Sequence, residues 1–557
     1  MQKTETMKNK HVNAIVVGAG ASGGIVAKEL ATAGLSVKLY ERGDWPVFDE
    51  HINDELISQR TQVLGSAFGP DPEKNPRVFV RPDGTRKITT SIDGPYHHVA
   101  ACVGSGTVNY GAMAWRYMPE DFKMRSTYGD VEGSTLDDWP IAYDDLEPYY
   151  EKAEWEIGVA GDDAENPFGA WRNKAYPMPP FENNRDGQVL GAAAKRLGLH
   201  PFPIPMLRNS VRYNGRPACI RNRYCVGFQC PVDAKNGTQN TVIPVALRTG
   251  NCEVLINCKV AEITTHANGQ AKGIRYFDHK NREQFQTSDI VIVTASATET
   301  ARLLLNSKHR LFPDGLGNNH DLVGRNFQGH SYTGAYGIFD REINTFAGPG
   351  ATFGLCDYNH HNEGIIGGGL LANEFNRLPY LFSQTRPPGA KRWGSEHKEF
   401  QVKNLKRMTE MHGPIQEMPK HDIRVFIDPK VKDHWGIPVI AFSGTRHKLD
   451  HEHCKFLSSK AEEILKEAGA NHTWQSVGGK GGPSGGQHQC GTVRMGNDPK
   501  SSVVNKFGQM HDIDNLFVAD SSVFVTGGGF NPVLTIMAMG YYVSDYIVNN
   551  WNGSHFK

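Results

Sequence analysis

The stretch from Val12 to Arg42 leaves the chain little choice of fold. An apolar run of Val12, Ala14, Ile15, Val16 and Val17 meets Gly18-Ala19-Gly20-Ala21-Ser22-Gly23. Ile25, Val26, Leu30 and Leu35 follow as the apolar positions of a helix, Gly34 ends it, and Val37-Lys38-Leu39-Tyr40-Glu41 reads as a second strand ending in an acidic residue. This order predicts a parallel βαβ unit of the Rossmann type. Its glycines turn the chain, let the backbone approach a pyrophosphate, and place that group at a helix N-terminus. Glu41, 18 residues after Gly23, is placed to accept hydrogen bonds from ribose hydroxyls. The candidate nucleotide contacts are Gly18, Gly20, Ala21, Ser22, Gly23, Glu41 and Arg42. The motif alone does not choose between NAD and FAD.

Much chain remains beyond this unit. At 557 residues it has room for three to four domain equivalents. Its 60 Lys and Arg balance 60 Asp and Glu, which removes the broad basic field that nucleic acid would require. No apolar run is long enough to span a membrane. The polar stretch Met1 to Lys10 lacks the apolar core of a secretory signal, so a cytoplasmic location is expected. Nine cysteines, an odd number in a long chain, argue against a disulfide framework.

Further motifs follow. Val103-Gly104-Ser105-Gly106-Thr107-Val108-Asn109-Tyr110-Gly111 is a small-residue loop that lets backbone amides lie against a flat ligand. Cys219, Cys225 and Cys230, the last followed by Pro231, are spaced C-x5-C-x4-C-P, reminiscent of an iron–sulfur ligand run. His360-His361 lacks a third ligand at regular spacing and reads as a solvated loop. Leu449 to Ala468 reads as an amphipathic surface helix. Near the C-terminus stand Gln487-His488-Gln489-Cys490-Gly491-Thr492-Val493-Arg494-Met495-Gly496, then Asn515 to Ser522, then Gly527-Gly528-Gly529-Phe530-Asn531-Pro532.

The order of these blocks, with Asp138-Trp139-Pro140, Val291 to Leu305 and Leu322 to Phe327 between them, resembles the glucose-methanol-choline (GMC) family of FAD oxidoreductases. The resemblance implies an α/β fold in which a Rossmann-type FAD-binding domain is interwoven with an α+β substrate-binding domain of antiparallel sheet plus helices, as in pyranose oxidase relatives. The expected segments are 1–125, 236–332 and 481–557 for the FAD-binding domain, 126–235 for a covering segment with the Cys-rich insertion, and 333–480 for the substrate-binding domain. In the family a histidine takes the carbinol proton while hydride moves to flavin N5. His488 matches that base, and its imidazole suits the task. Asn531 matches the second position, which hydrogen-bonds the substrate oxygen. Gly104, Ser105, Thr107, Asn109, Val260, Ala295, Asp520, Asn531 and Pro532 join the expected FAD contacts. Asn109 stands where some relatives carry a flavin-linking histidine, so the FAD is expected to be non-covalent. His330 is read as structural.

The cysteine run also resembles the insertion that holds a 3Fe-4S cluster in large subunits of gluconate, sorbitol and glucose dehydrogenases. An empty reduced remnant or a local disulfide stays open beside it. The resemblance implies oxidation of a secondary alcohol of a sugar or glycoside, a 3-keto-glycoside being the favoured product. The alternatives are a gluconate or polyol dehydrogenase large subunit working with a small subunit and a cytochrome or quinone, and a sugar oxidase using oxygen. Periplasmic location by co-export with a small subunit is the alternative to the cytoplasm.

Overall fold

The computed structural model describes residues 10–552 apart from 51–52, 94–95, 97–98, 163 and 485. The stretch on which the signal reading rests lies almost wholly outside the described residues.

The Val12–Val17 strand is at the centre of the first sheet, parallel to Val37–Tyr40 on one side and to Glu283–Val293 on the other. Cys252–Leu255 extends the sheet beyond Val37–Tyr40, and Leu516–Val518 pairs in parallel with the last residues of Glu283–Val293. The Glu283–Val293 strand changes partners along its length. Glu283 to Thr287 pairs antiparallel with Ala271–Phe277, while Ser288 to Val293 joins the parallel core. Its residues say why. Ile290-Val291-Ile292-Val293 is buried on both faces, as parallel strands under helices must be, whereas burial alternates in the first half. The helix Gly23–Thr32 leaves the glycine turn with Ile25, Val26 and Leu30 buried against this sheet.

A second sheet is antiparallel, in the order His472–Ser476, Tyr332–Ile338, Met408–Pro414, Leu371–Ala372, Phe353–Leu355, Phe202–Pro203. The amphipathic helix spans Lys448–Glu467 and is not merely a surface element. Its Cys454, Leu457, Ala461, Ile464 and Leu465 are buried in the core of this second sheet. A third, four-stranded sheet joins Arg424–Lys432 and Pro438–Ser443 to the hairpin Arg77–Val80 and Arg86–Thr89. Val78, Val439 and Ala441 form its buried centre. That hairpin comes from the segment expected to belong wholly to the FAD-binding part, so strands distant in sequence share one small core. No helix among the described residues is long and apolar enough to cross a membrane.

Candidate active site

A cavity of about 680 Å³ runs from the glycine turn to the second sheet. At its nucleotide end, Gly18, Gly20, Ala21, Ser22, Glu41 and Arg42 lie in the wall. The glycines have different reasons. A Cβ on Gly18 would lie 2.5 Å from the Thr294 carbonyl, and one on Gly23 would strike the Gly18 carbonyl, so packing alone requires both. Gly20 would meet no protein atom closer than 3.4 Å; what needs its bareness is the space in the cavity. The Glu41 carboxylate accepts from Ala19 N and Gly43 N, both at 3.0 Å, and burial pushes it above the usual carboxylate range. Arg42 is turned to Glu299 at 3.4 Å, and Arg77, Lys259 and Arg302 converge on the same carboxylate. Arg42 thus belongs to a buried charge cluster at the wall. Val260 and Ala295 also lie in the cavity wall.

Gly23 and Gly104 do not reach the cavity wall. Gly104 has φ of +89° and abuts Gln239, shaping the turn that brings Ser105, Thr107 and Asn109 to the wall. Asn109 is buried with both amide atoms unpaired. Asp520 lines the cavity, yet its side chain works inward: one oxygen accepts from Ser296 N at 2.9 Å and Thr300 Oγ1 at 2.6 Å, the other from Ser522 N at 2.9 Å. It fixes the turn between a core strand and the Ala297–Asn306 helix. The ribose-side carboxylate, the open space over Gly20 and the orphaned Asn109 amide together fit a dinucleotide with a polar ring edge.

His488 and Asn531, far apart in sequence, meet at the other end. His488 Nδ1 lies 2.9 Å from His330 Nδ1. His330 Nε2 lies 3.1 Å from the Gly527 carbonyl and 2.9 Å from that of Gly528. Carbonyls only accept, so His330 Nε2 carries a hydrogen and its Nδ1 accepts. His488 Nδ1 must then donate, which leaves His488 Nε2 as the free basic nitrogen. Burial, aided by His330, holds the His488 imidazole well below its ordinary range and hence neutral. His330, read from sequence as structural, therefore touches His488 directly. Asn531 donates its amide to the Tyr332 hydroxyl at 2.9 Å, and its Oδ1 is buried and unpaired. Pro532 follows in the wall at the start of the helix Val533–Asn549.

The second sheet supplies residues that sequence reasoning missed: Tyr332, Glu374, Arg377, Glu410 and His412, with Arg60 reaching in from a loop of the N-terminal part. None sits in a motif. Burial and the neighbouring Glu410 push the Glu374 carboxyl well above the usual range, against Arg60 and Arg377, and burial brings His412 down to about 4.

The three clustered cysteines lie outside the cavity wall, although Val226 and Gly227 between them line it. Their thiols are unbridged, so the local disulfide is not formed. Buried Arg208 donates to Cys225 Sγ and to the Gly111 carbonyl, and buried Lys235 donates to the Cys225 and Phe228 carbonyls. Among the described residues no group of three His, Cys, Asp or Glu is arranged to hold a metal ion, so the run lends the 3Fe-4S expectation no geometric support. His360 is not solvated. Its ring is largely covered, 2.9 Å from the Tyr128 hydroxyl and 3.2 Å from Asp121, while His361 is exposed.

Comparison with known proteins bears on this arrangement. The chain is 27% identical to the gluconate 2-dehydrogenase flavoprotein of Pantoea cypripedii, over 96% of this chain and 93% of the relative. It is 28% identical to 6'''-hydroxyparomomycin C oxidase of Streptomyces lividus, over 96% and 91%. The crystal structure of pyridoxine 4-oxidase from Mesorbium loti superposes with a TM-score of 0.63 at 15% identity, covering 97% of this chain and all of the other, and so shares the fold. Residues 103–332 and 419–540, together more than half of the chain, match the N- and C-terminal parts of the GMC oxidoreductase family. The chain belongs to the GMC oxidoreductases.

Proposed function

We propose that the protein oxidises a secondary alcohol of a sugar or glycoside to a ketone, a 3-keto-glycoside being the favoured product. The observation that carries this reading is the His488–His330 pair, which presents an unprotonated, neutral imidazole in a chamber continuous with a dinucleotide site. FAD, when bound, supplies the acceptor for the carbinol hydride. Gly18, Gly20, Ala21 and Glu41 would hold its nucleotide half and Asn109 its ring edge by hydrogen bonds, with no covalent link, since an amide offers no nucleophile. His488 Nε2 takes the hydroxyl proton of the substrate. The Asn531 amide, fixed by Tyr332, holds the substrate oxygen in place. Moving a proton within a buried chamber requires a base that is neutral beforehand, and burial ensures this.

The names of the relatives, a gluconate dehydrogenase flavoprotein and an aminoglycoside oxidase, support a polyhydroxylated substrate. The same proposal includes a partner subunit and an acceptor such as a cytochrome or quinone, with oxygen the alternative. No electron step is routed through the cysteine run; stoichiometric iron and labile sulfide in the purified protein would restore that relay.

The test is anaerobic reduction of the FAD-loaded protein by a simple glucoside, with and without His488→Ala. The variant is expected to retain FAD and to lose turnover by a factor on the order of 10² or more. Near-parental turnover would remove His488 from the role of base.

A further inference from the structure

One side of the substrate chamber has no task in this chemistry. Glu374 follows the short strand Leu371–Ala372, whose neighbour Asn373 pins the backbone by accepting from Thr352 N at 2.9 Å and Phe353 N at 3.0 Å. Glu374 is 0% exposed, and the Tyr332 hydroxyl is its one neutral donor among the described residues, which leaves carboxylate lone pairs without a protein partner. A buried carboxylate in that condition is costly unless something arrives to donate to it. The Tyr332 hydroxyl faces it, and that hydroxyl also accepts from Asn531. Glu374 is therefore one side chain away from the seat of the reacting carbinol. Arg60 lies over the Phe375 ring, 3.6 Å from its centroid, with Glu374 and Glu410 as its nearby anions. Arg377 is ion-paired to Glu410.

We propose that Glu374, with Arg60 beside it, is the subsite that receives the hydroxyls flanking the reacting carbinol of a neutral pyranose or polyol, and that it selects neutral substrates over acids and amines. The two oxygens can each accept from a substrate hydroxyl, and such donation favours the ionised form. Two guanidinium groups and two carboxylates then balance within the chamber. A substrate carboxylate would meet Glu374 and Glu410, an ammonium would meet Arg60 and Arg377, and either would leave one buried charge uncompensated. The proposal rests on the chamber being the alcohol site and adds its selectivity.

The experiment measures anaerobic flavin reduction of the FAD-loaded protein by methyl β-glucopyranoside, its monodeoxy analogues, gluconate and glucosamine, in the parent, Glu374→Gln and Glu374→Ala. In Glu374→Ala the KM for the glucoside is expected to rise roughly 10- to 100-fold, the scale of hydrogen bonds to a charged group, with a much smaller change in the limiting reduction rate. Glu374→Gln, which still accepts at one oxygen, is expected to fall between. The deoxy analogue lacking the contacted hydroxyl should lose far less in Glu374→Ala than in the parent. Unchanged KM in both variants, or gluconate or glucosamine outcompeting the glucoside in the parent, overturns the subsite alone. Failure of every one of these compounds to reduce the parent's flavin overturns the sugar reading as well.

Discussion

The location of a single hydrogen organises the His488 end of the cavity. Two backbone carbonyls hold it on His330 Nε2, and this fixes which nitrogen of His488 is basic. His330→Leu removes the acceptor for His488 Nδ1–H, whereas His330→Asn offers an amide oxygen near the same point. The leucine variant is expected to reduce its flavin at least about tenfold more slowly at saturating substrate, with little change in KM, and the asparagine variant to recover most of the rate. Stopped-flow reduction checks this; equal rates in the leucine variant and the parent would mean that His488 orients itself. His488 and Asn531 were legible because fixed patterns surround them. His330, Glu374 and Arg60 were not. Each is an ordinary polar residue in an unpatterned segment, and each acquires meaning only from what the fold places opposite it.

Among the elements, the fingerprint helix depends on a neighbour from the far end of the chain. The helix Val533–Asn549 crosses Gly23–Thr32, and a Cβ on Gly540 would lie 2.8 Å from Ser22 Oγ. That hydroxyl is already spent on the Ala519 carbonyl. Gly540→Ala is expected to cost about 1–3 kcal/mol through overpacking and to loosen FAD retention, because the strain falls on the turn that faces the pyrophosphate. Thermal melts and flavin content after gel filtration measure both. Parental values in each would show that Ser22 rotates aside freely. The βαβ unit itself was readable, since a glycine turn between an apolar strand and helix has few other uses. The division of labour among its glycines was not: Gly18 and Gly23 are required by contacts with Thr294 and with each other, whereas a Cβ on Gly20 would point into open cavity space.

Across the whole molecule, sheets are completed by strands from distant segments: Leu516–Val518 in the first, Phe202–Pro203 in the second, Arg77–Val80 in the third. No segment then owns a complete core, and the cavity lies where these pieces meet. Heating is accordingly expected to give one transition, coincident by far-ultraviolet circular dichroism and flavin fluorescence, with a lower Tm after FAD is stripped. Two separated transitions would show that the sheets unfold independently. The nucleotide fold and the family could be read from the chain alone, because strand, turn and helix patterns are local and the GMC blocks keep their order along the chain. The tautomer of His488, the inward task of Asp520, the unbridged cysteine thiols and the burial of the Glu374 carboxylate were settled only by how the chain folds. Those properties are distances between segments, and burial, which sets the cost of every unpaired polar group, exists only once the chain has closed around them.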